Sequence, residues 1–152
     1  MSSQESTLIV IVDDNVDACR LLGALIGQLG ERATCWHRGA DTLEYLRDHI
    51  PRLILLEAEM PGMSGMEVLK AIRTDPRLAA VPVIMMSRQW DHEDLAEIAK
   101  QQGATEFWIK SEILYQNLKQ LIARYLTHVS VKPRSDGKPN EVYSGESKKD
   151  MN

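Results

Sequence analysis

A chain of 152 residues that is 43% hydrophobic and 26% charged has the size and balance of one ordinary globular domain with room for a real core. Its formal charge of -4 and pI near 5.6 offer nucleic acid no basic face, and no apolar run is long enough to cross a bilayer. The N-terminus lacks the basic stretch of a secretory signal, and the two cysteines are neither spaced for a metal nor dense enough for a disulfide scaffold, so a cytoplasmic protein with buried, reduced Cys19 and Cys35 is expected.

In chain order, residues 8–12 are a continuous run of Leu, Ile and Val, too short for a helix and typical of a strand covered on both faces. The run stops at Asp13 and Asp14. Over 15–29, Ala18, Leu22, Leu25 and Leu29 recur at helical spacing; Asp14 or Asn15 supplies the N-cap, and Gly30 stands where a helix-ending glycine belongs. A weaker strand candidate at 33–36 precedes a helix that uses Leu43, Leu46 and Ile50 and that Pro51 cannot continue. Residues 53–56 form a third apolar strand, which ends on the carboxylate of Glu57 before Pro61, Gly62 and Gly65 punctuate a loop. Met66, Leu69 and Ile72 then share a helical face that stops at Asp75-Pro76. A fourth strand at 83–86 runs into Ser87 and Arg88, and a helix burying Leu95, Ile98 and Ala99 ends before Gly103. Phe107, Trp108 and Ile109 make a fifth strand ending on Lys110, and Leu114, Leu118, Leu121 and Tyr125 form the stripe of the last helix. From His128 onward Pro, Gly, Ser and mixed charges leave too little apolar surface to offset the entropy of ordering. The expected division is one domain over 1–127 and a disordered tail over 128–152.

Five strands alternating with five helices imply an α/β fold, a doubly wound parallel sheet for which the flavodoxin-like order 2-1-3-4-5 is the natural expectation at this size. In that topology the carboxyl ends of the strands converge on one crevice, and polar residues occupy those ends: Asp13 and Asp14, Glu57, Ser87 and Lys110. Clustered carboxylates repel one another unless a cation neutralises them or a proton is shared. Hard oxygen ligands of this kind suit Mg²⁺, and a hydroxyl and an ammonium are the right donors for a phosphoryl group. The bland alternative is that Asp13 and Asp14 cap the first helix while Lys110 neutralises them.

The runs Ile11-Val12-Asp13-Asp14-Asn15, Met60-Pro61-Gly62-Met63-Ser64-Gly65 and Pro82-Val83-Ile84-Met85-Met86-Ser87, with the segment from Gly103-Ala104 to Lys110, resemble the receiver domains of two-component response regulators. The resemblance covers roughly residues 7 to 127, in order and with ordinary spacing. It implies the flavodoxin-like (βα)5 fold and a mechanism in which a histidine kinase passes a phosphoryl group to an aspartate at the end of the third strand, with Mg²⁺ in the acidic pocket. Carried over position by position, it makes Asp13 and Asp14 the pocket acids, with Asp14 the direct metal ligand and the backbone carbonyl of Glu59 beside it. Ser87 becomes the switch hydroxyl, Phe107 the switch aromatic and Lys110 the phosphate partner. A signalling module rather than an enzyme is implied.

The chain also departs from that pattern. The acceptor position holds Glu57, whose carboxylate reaches on the order of 1.5 Å further than an aspartate's. A misplacement near 1 Å can cost about a hundredfold in rate, so phosphotransfer to Glu57 is expected to be slow or absent, with Mg²⁺ bound weakly or not at all. Arg88 stands where a small residue is usual, and its guanidinium can pair with Glu57 or obstruct a phosphodonor. Ser111 replaces a common proline, which favours a trans Lys110–Ser111 peptide because the cis form would cost about 2.5–4 kcal/mol. Ser64 stands where an Asp is common. Glu57 then either imitates a phosphorylated aspartate, or the switch is lost and the domain is a fixed docking module. A haloacid-dehalogenase-like phosphohydrolase using Asp13 is the enzyme alternative, but the second acid of its Asp-x-Asp motif would be Asn15. Expected partners are a histidine kinase, a phosphotransfer protein or another regulator, docking on the fourth helix, fifth strand and fifth helix over about 91–125, with Trp90 or Trp108 as anchors. The expected state is a monomer or weak dimer without direct contact to nucleic acid or membrane.

Overall fold

A computed structural model describes residues 8–88, 93–113 and 115–130. Among them five strands, β1 Leu8–Val12, β2 Arg32–Trp36, β3 Leu53–Glu57, β4 Val83–Ser87 and β5 Glu106–Ile109, alternate with five helices. These are α1 Val16–Gln28, α2 Gly39–Leu46, α3 Gly65–Thr74, α4 Glu93–Gln101 and α5 Tyr115–Ser130, with a short 3-10 turn, Lys110–Glu112, leading toward the last. All neighbouring strands pair in parallel, in the order β2-β1-β3-β4-β5. This is the expected flavodoxin-like arrangement.

Strand side chains alternate between two layers, because successive residues of a strand point to opposite faces. Val10, Val12, Ile54, Leu56, Val83 and Met85 pack on the side that receives Leu46 of α2, Val68, Leu69 and Ile72 of α3 and Ala99 of α4. Ile9, Ile11, Leu53, Leu55, Ile84 and Met86 face Cys19, Leu22 and Ile26 of α1 and Leu118, Leu121 and Leu126 of α5. The three central strands are buried along their whole length, which is why they read as unbroken apolar runs. Edge strands β2 and β5 are only half-buried, and their sequences are accordingly less regular.

Local chemistry sets the boundaries. Asn15 caps α1 by accepting the Ala18 amide, and Gly30, at φ +87°, reverses the chain after the helix while its amide and that of Glu31 reach back to the carbonyls of Gly27 and Ile26. Arg73, in the last turn of α3, donates to the carbonyls of Gly103, Leu78 and Ala79, tying that helix to the loop before β5.

Some expectations fail. Helix α2 stops at Leu46, one turn short of Ile50, which is 46% exposed; the apolar spacing ran on past the true helix end. Ile98 is 43% exposed, since Ala99 and the half-buried Leu95 already fill the space between α4 and the sheet. Cys19 is buried, but Cys35 is only half-buried because it lies on an edge strand. Helix α5 runs to Ser130. Trp90, Leu114 and the part of the expected 128–152 tail beyond Ser130 lie outside the described residues.

Candidate functional site

The parallel strands deliver their last residues to one rim of the sheet, and the register explains who meets whom. Val12 pairs with both Trp36 and Leu56, so Asp13, one residue on, leaves the sheet beside Glu57 at the end of β3. Glu57 in turn is level with Met86, which places Ser87 one step further along β4, level with Ile109 and adjacent in register to Lys110. Asp13, Glu57 and Ser87 are all fully buried.

The centre of this rim is an ion triad. Lys110 Nζ lies 2.5 Å from Asp13 Oδ2 and 3.0 Å from Glu57 Oε1, with only 16% of the lysine side chain exposed. The contact to Asp13 is a charge-assisted hydrogen bond; that to Glu57 is an ion pair without hydrogen-bond angles. The other oxygens are held by backbone: Asp13 Oδ1 accepts the Asn15 amide at 2.9 Å, and Glu57 Oε2 accepts the Glu59 amide at 3.1 Å. Burial pushes the Glu57 carboxyl above its ordinary range, against the pull of Lys110 and the Glu59 amide. Burial also works against the charge on Lys110, but its two carboxylate partners outweigh that and raise its pKa.

Two features hold these residues in place, of which sequence reading singled out only the loop after β3. His37, just beyond β2, donates Nδ1–H to the Asp13 carbonyl at 2.9 Å, and the Asp13 amide donates to Trp36 at 2.9 Å. Only the strand register could have revealed that neighbour. The loop after β3 folds back so closely that a Cβ on Gly65 would lie 2.0 Å from the Glu57 carbonyl oxygen and 2.8 Å from the Ala58 Cα. The Ser64 hydroxyl accepts the Glu67 amide while Glu67 Oε1 accepts the Ser64 amide, a capping box that starts α3 at that contact. Ser64, which stands where an Asp is common, is thus a helix cap.

The remaining expected residues are dispersed. Arg88 is exposed and lines an open groove with Glu59, Met60, Pro61, Ser64, Met66 and Leu95; among the described residues it forms no ion pair with Glu57, whose cation is Lys110. Phe107 is half-buried and packs on the α2–α4 side of the sheet. Trp108 packs on the opposite side with its indole N–H donated to Glu106 at 2.7 Å, so it is a packed residue rather than a bare anchor. The Lys110–Ser111 peptide is trans, and Lys110 still reaches both carboxylates.

For a divalent cation the donor set is partly suitable. Asp14 is half-buried with Oδ1 lacking any hydrogen-bond partner, a buried oxygen of the kind a hydrated hard cation satisfies. Asp13 is next to it in the chain, but its carboxylate is already shared between Lys110 and the Asn15 amide. Among the described residues no three His, Cys, Asp or Glu side chains come together as a metal ligand set. The residues therefore fit a cation held by one or two carboxylates and water.

Comparison with known proteins matches residues 9–123 to the response regulator receiver domain. The chain is 32% identical over 127 residues to the transcriptional regulatory protein ZraR of Klebsiella oxytoca, covering 83% of this chain and 28% of that protein. It is 31% identical over 118 residues to the polar-differentiation response regulator DivK of Brucella anthropi, covering 78% of this chain and 94% of DivK. It thus spans about a quarter of ZraR and nearly all of DivK. Among solved structures, the Mn²⁺-bound form of response regulator Rcp1 superimposes with a TM-score of 0.68 at 22% identity, over 84% of this chain and 99% of that one.

Proposed function

Since the chain belongs to the response regulator receiver domains of two-component signalling, we propose that it is an atypical receiver that exchanges phosphoryl groups slowly or not at all and acts through protein contacts. The observation that carries this reading is the state of Glu57. At the end of β3, where the family places its acceptor aspartate, the glutamate is fully buried, ion-paired to Lys110 and hydrogen-bonded to the Glu59 amide. Its longer side chain spends its reach on the internal cation instead of presenting a nucleophile to a donor. The oxygen that would attack phosphorus is the one facing Lys110 or the one fixed by backbone.

The residues assigned by position act accordingly. Lys110 holds Glu57 and Asp13 together, Ser87 stands buried beside them, and Phe107 is packed against the core. Asp14, with Asp13 and the Glu59 carbonyl, would hold Mg²⁺ weakly; when bound, such an ion neutralises oxyanion charge. Arg88, at the mouth of the groove beside Glu59, restricts approach of a phosphodonor. Contacts with a histidine kinase, a phosphotransfer protein or another regulator fall on α4, β5 and α5, where Ile98 is an exposed apolar residue. The phosphohydrolase alternative loses ground because Asp13 is buried and committed to Lys110 and the Asn15 amide.

The test is incubation with Mg²⁺ and a radiolabelled acyl phosphate. The parent protein should take up no label, whereas Glu57→Asp should, because the shortened carboxylate leaves room for phosphorus between itself and Lys110. Labelling of the parent on Glu57 at a rate comparable to the Asp variant would overturn the reading. A silent Asp variant would transfer the block to Arg88 or Ser111.

A further inference from the structure

On the α1/α5 side of the sheet, just behind the loop that carries Asp13, two cysteines meet across the α1–β2 contact. Cys19 sits one turn into α1 and is fully buried; Cys35 lies on β2, the outermost strand at that end of the sheet, and is half-buried. Both side chains pack into the same layer of the core. Cys35 Sγ lies 3.3 Å from the Cys19 carbonyl, and Cys19 Sγ lies 3.9 Å from the Asp13 carbonyl and 4.0 Å from that of Ile11. Burial first, and then the neighbouring Cys35, push the Cys19 thiol above its ordinary value. Of the two residues, Cys35 is the more exposed and Cys19 the more deeply buried.

We propose that Cys19 and Cys35 are a modification site: a thiol pair that a hydroperoxide converts into a reversible intramolecular disulfide. The Cys35 thiolate attacks the nearer peroxide oxygen and the O–O bond breaks, leaving a Cys35 sulfenic acid and an alkoxide or hydroxide that takes a proton from solvent. The Cys19 sulfur then displaces the sulfenic hydroxyl, and the thiol proton leaves with it as water. Two thiols are oxidised, one peroxide is reduced, and the sulfurs are joined by a bond of about 2.05 Å. Transient bonds of this type are the kind expected where thiols are otherwise kept reduced. Because Cys19 Sγ also abuts the Asp13 carbonyl that His37 holds, the bond would tug on the loop carrying Asp13 and Asp14. The site does not depend on the reading of Glu57.

Reduced, folded full-length protein is treated with hydrogen peroxide, alkylated, digested with trypsin and analysed by mass spectrometry. The expected result is loss of both free-thiol signals and a joined pair of peptides, residues 1–20 with 33–38, that separates on reduction. Cys19→Ser should stop at a Cys35 sulfenic acid that dimedone traps, and Cys35→Ser should leave Cys19 alkylatable only after unfolding. Both thiols surviving peroxide, Cys35 alone passing to sulfinic acid in the parent, or a bond only between two chains would each overturn the proposal.

Discussion

Replacing Lys110 with Met keeps an unbranched apolar stem but deletes the ammonium that stands 2.5 Å from Asp13 and 3.0 Å from Glu57. Both carboxylates are fully buried, so water cannot take over its role. Removing one partner of a buried pair typically costs about 3–5 kcal/mol, because it strands uncompensated charge. At an m-value of about 2 kcal/mol per M urea, the unfolding midpoint should fall by roughly 2 M. The loss should also depend on pH in a defined direction. Burial already raises the Glu57 pKa in the folded protein, so the fold binds that proton more tightly than the unfolded chain does. The stability this contributes is fully present below the unfolded glutamate value and is lost as pH rises through the folded one. Without Lys110 the pull that restrains this shift disappears, the folded value moves further up, and the window extends toward neutrality. Urea unfolding of parent and Lys110→Met at pH 7 and pH 5 should therefore show a large deficit that shrinks on acidification. A variant within about 1 kcal/mol of the parent at pH 7, or a deficit indifferent to pH, would refute the triad as the centre of the site.

Other perturbations follow the same geometry. Gly65→Ala drives a methyl to 2.0 Å from the Glu57 carbonyl oxygen, which is backbone and cannot swing away, so a loss of about 3 kcal/mol or more is expected in urea unfolding; a near-neutral result would refute the close approach. Ser64→Ala removes one half of the capping box and should cost about 1 kcal/mol, read in the same assay, while Ser64→Asp should retain most of it. Magnesium titration followed by the fluorescence of Trp36, Trp90 and Trp108 should give a weak saturable change that Asp14→Asn abolishes. An equal response in that variant would remove Asp14 from the pocket.

Most of the architecture could be read from the chain because the central strands are buried on both faces, and only unbroken Leu, Ile, Val and Met runs satisfy that condition. The polar residue ending each run then falls at the rim without further information. Spacing arguments fail where a pattern outlives its element: Ile50 continues the period of α2 beyond a helix that has already ended at Leu46. Ile98 fails differently, since a helix lying on a sheet has a narrow contact line and Ala99 sits on it. The choice of partner for Glu57 was equally illegible. Arg88 follows β4, the strand paired with β3, whereas Lys110 arrives from β5, and only the three-dimensional direction of the side chains selects the lysine. The role of His37 is set by register alone, for nothing in its immediate sequence marks it.

The carboxylate of Glu106 accepts from the Trp108 indole, the Arg124 guanidinium and the Tyr125 hydroxyl at once, linking β5 to α5. The Trp108 indole, the Arg124 guanidinium and the Tyr125 hydroxyl thereby each find an acceptor within the chain. An acidic ligand seeking Arg124 would have to compete with Glu106 for it. The arginine's contribution to any salt-dependent recruitment is accordingly muted by the carboxylate already beside it.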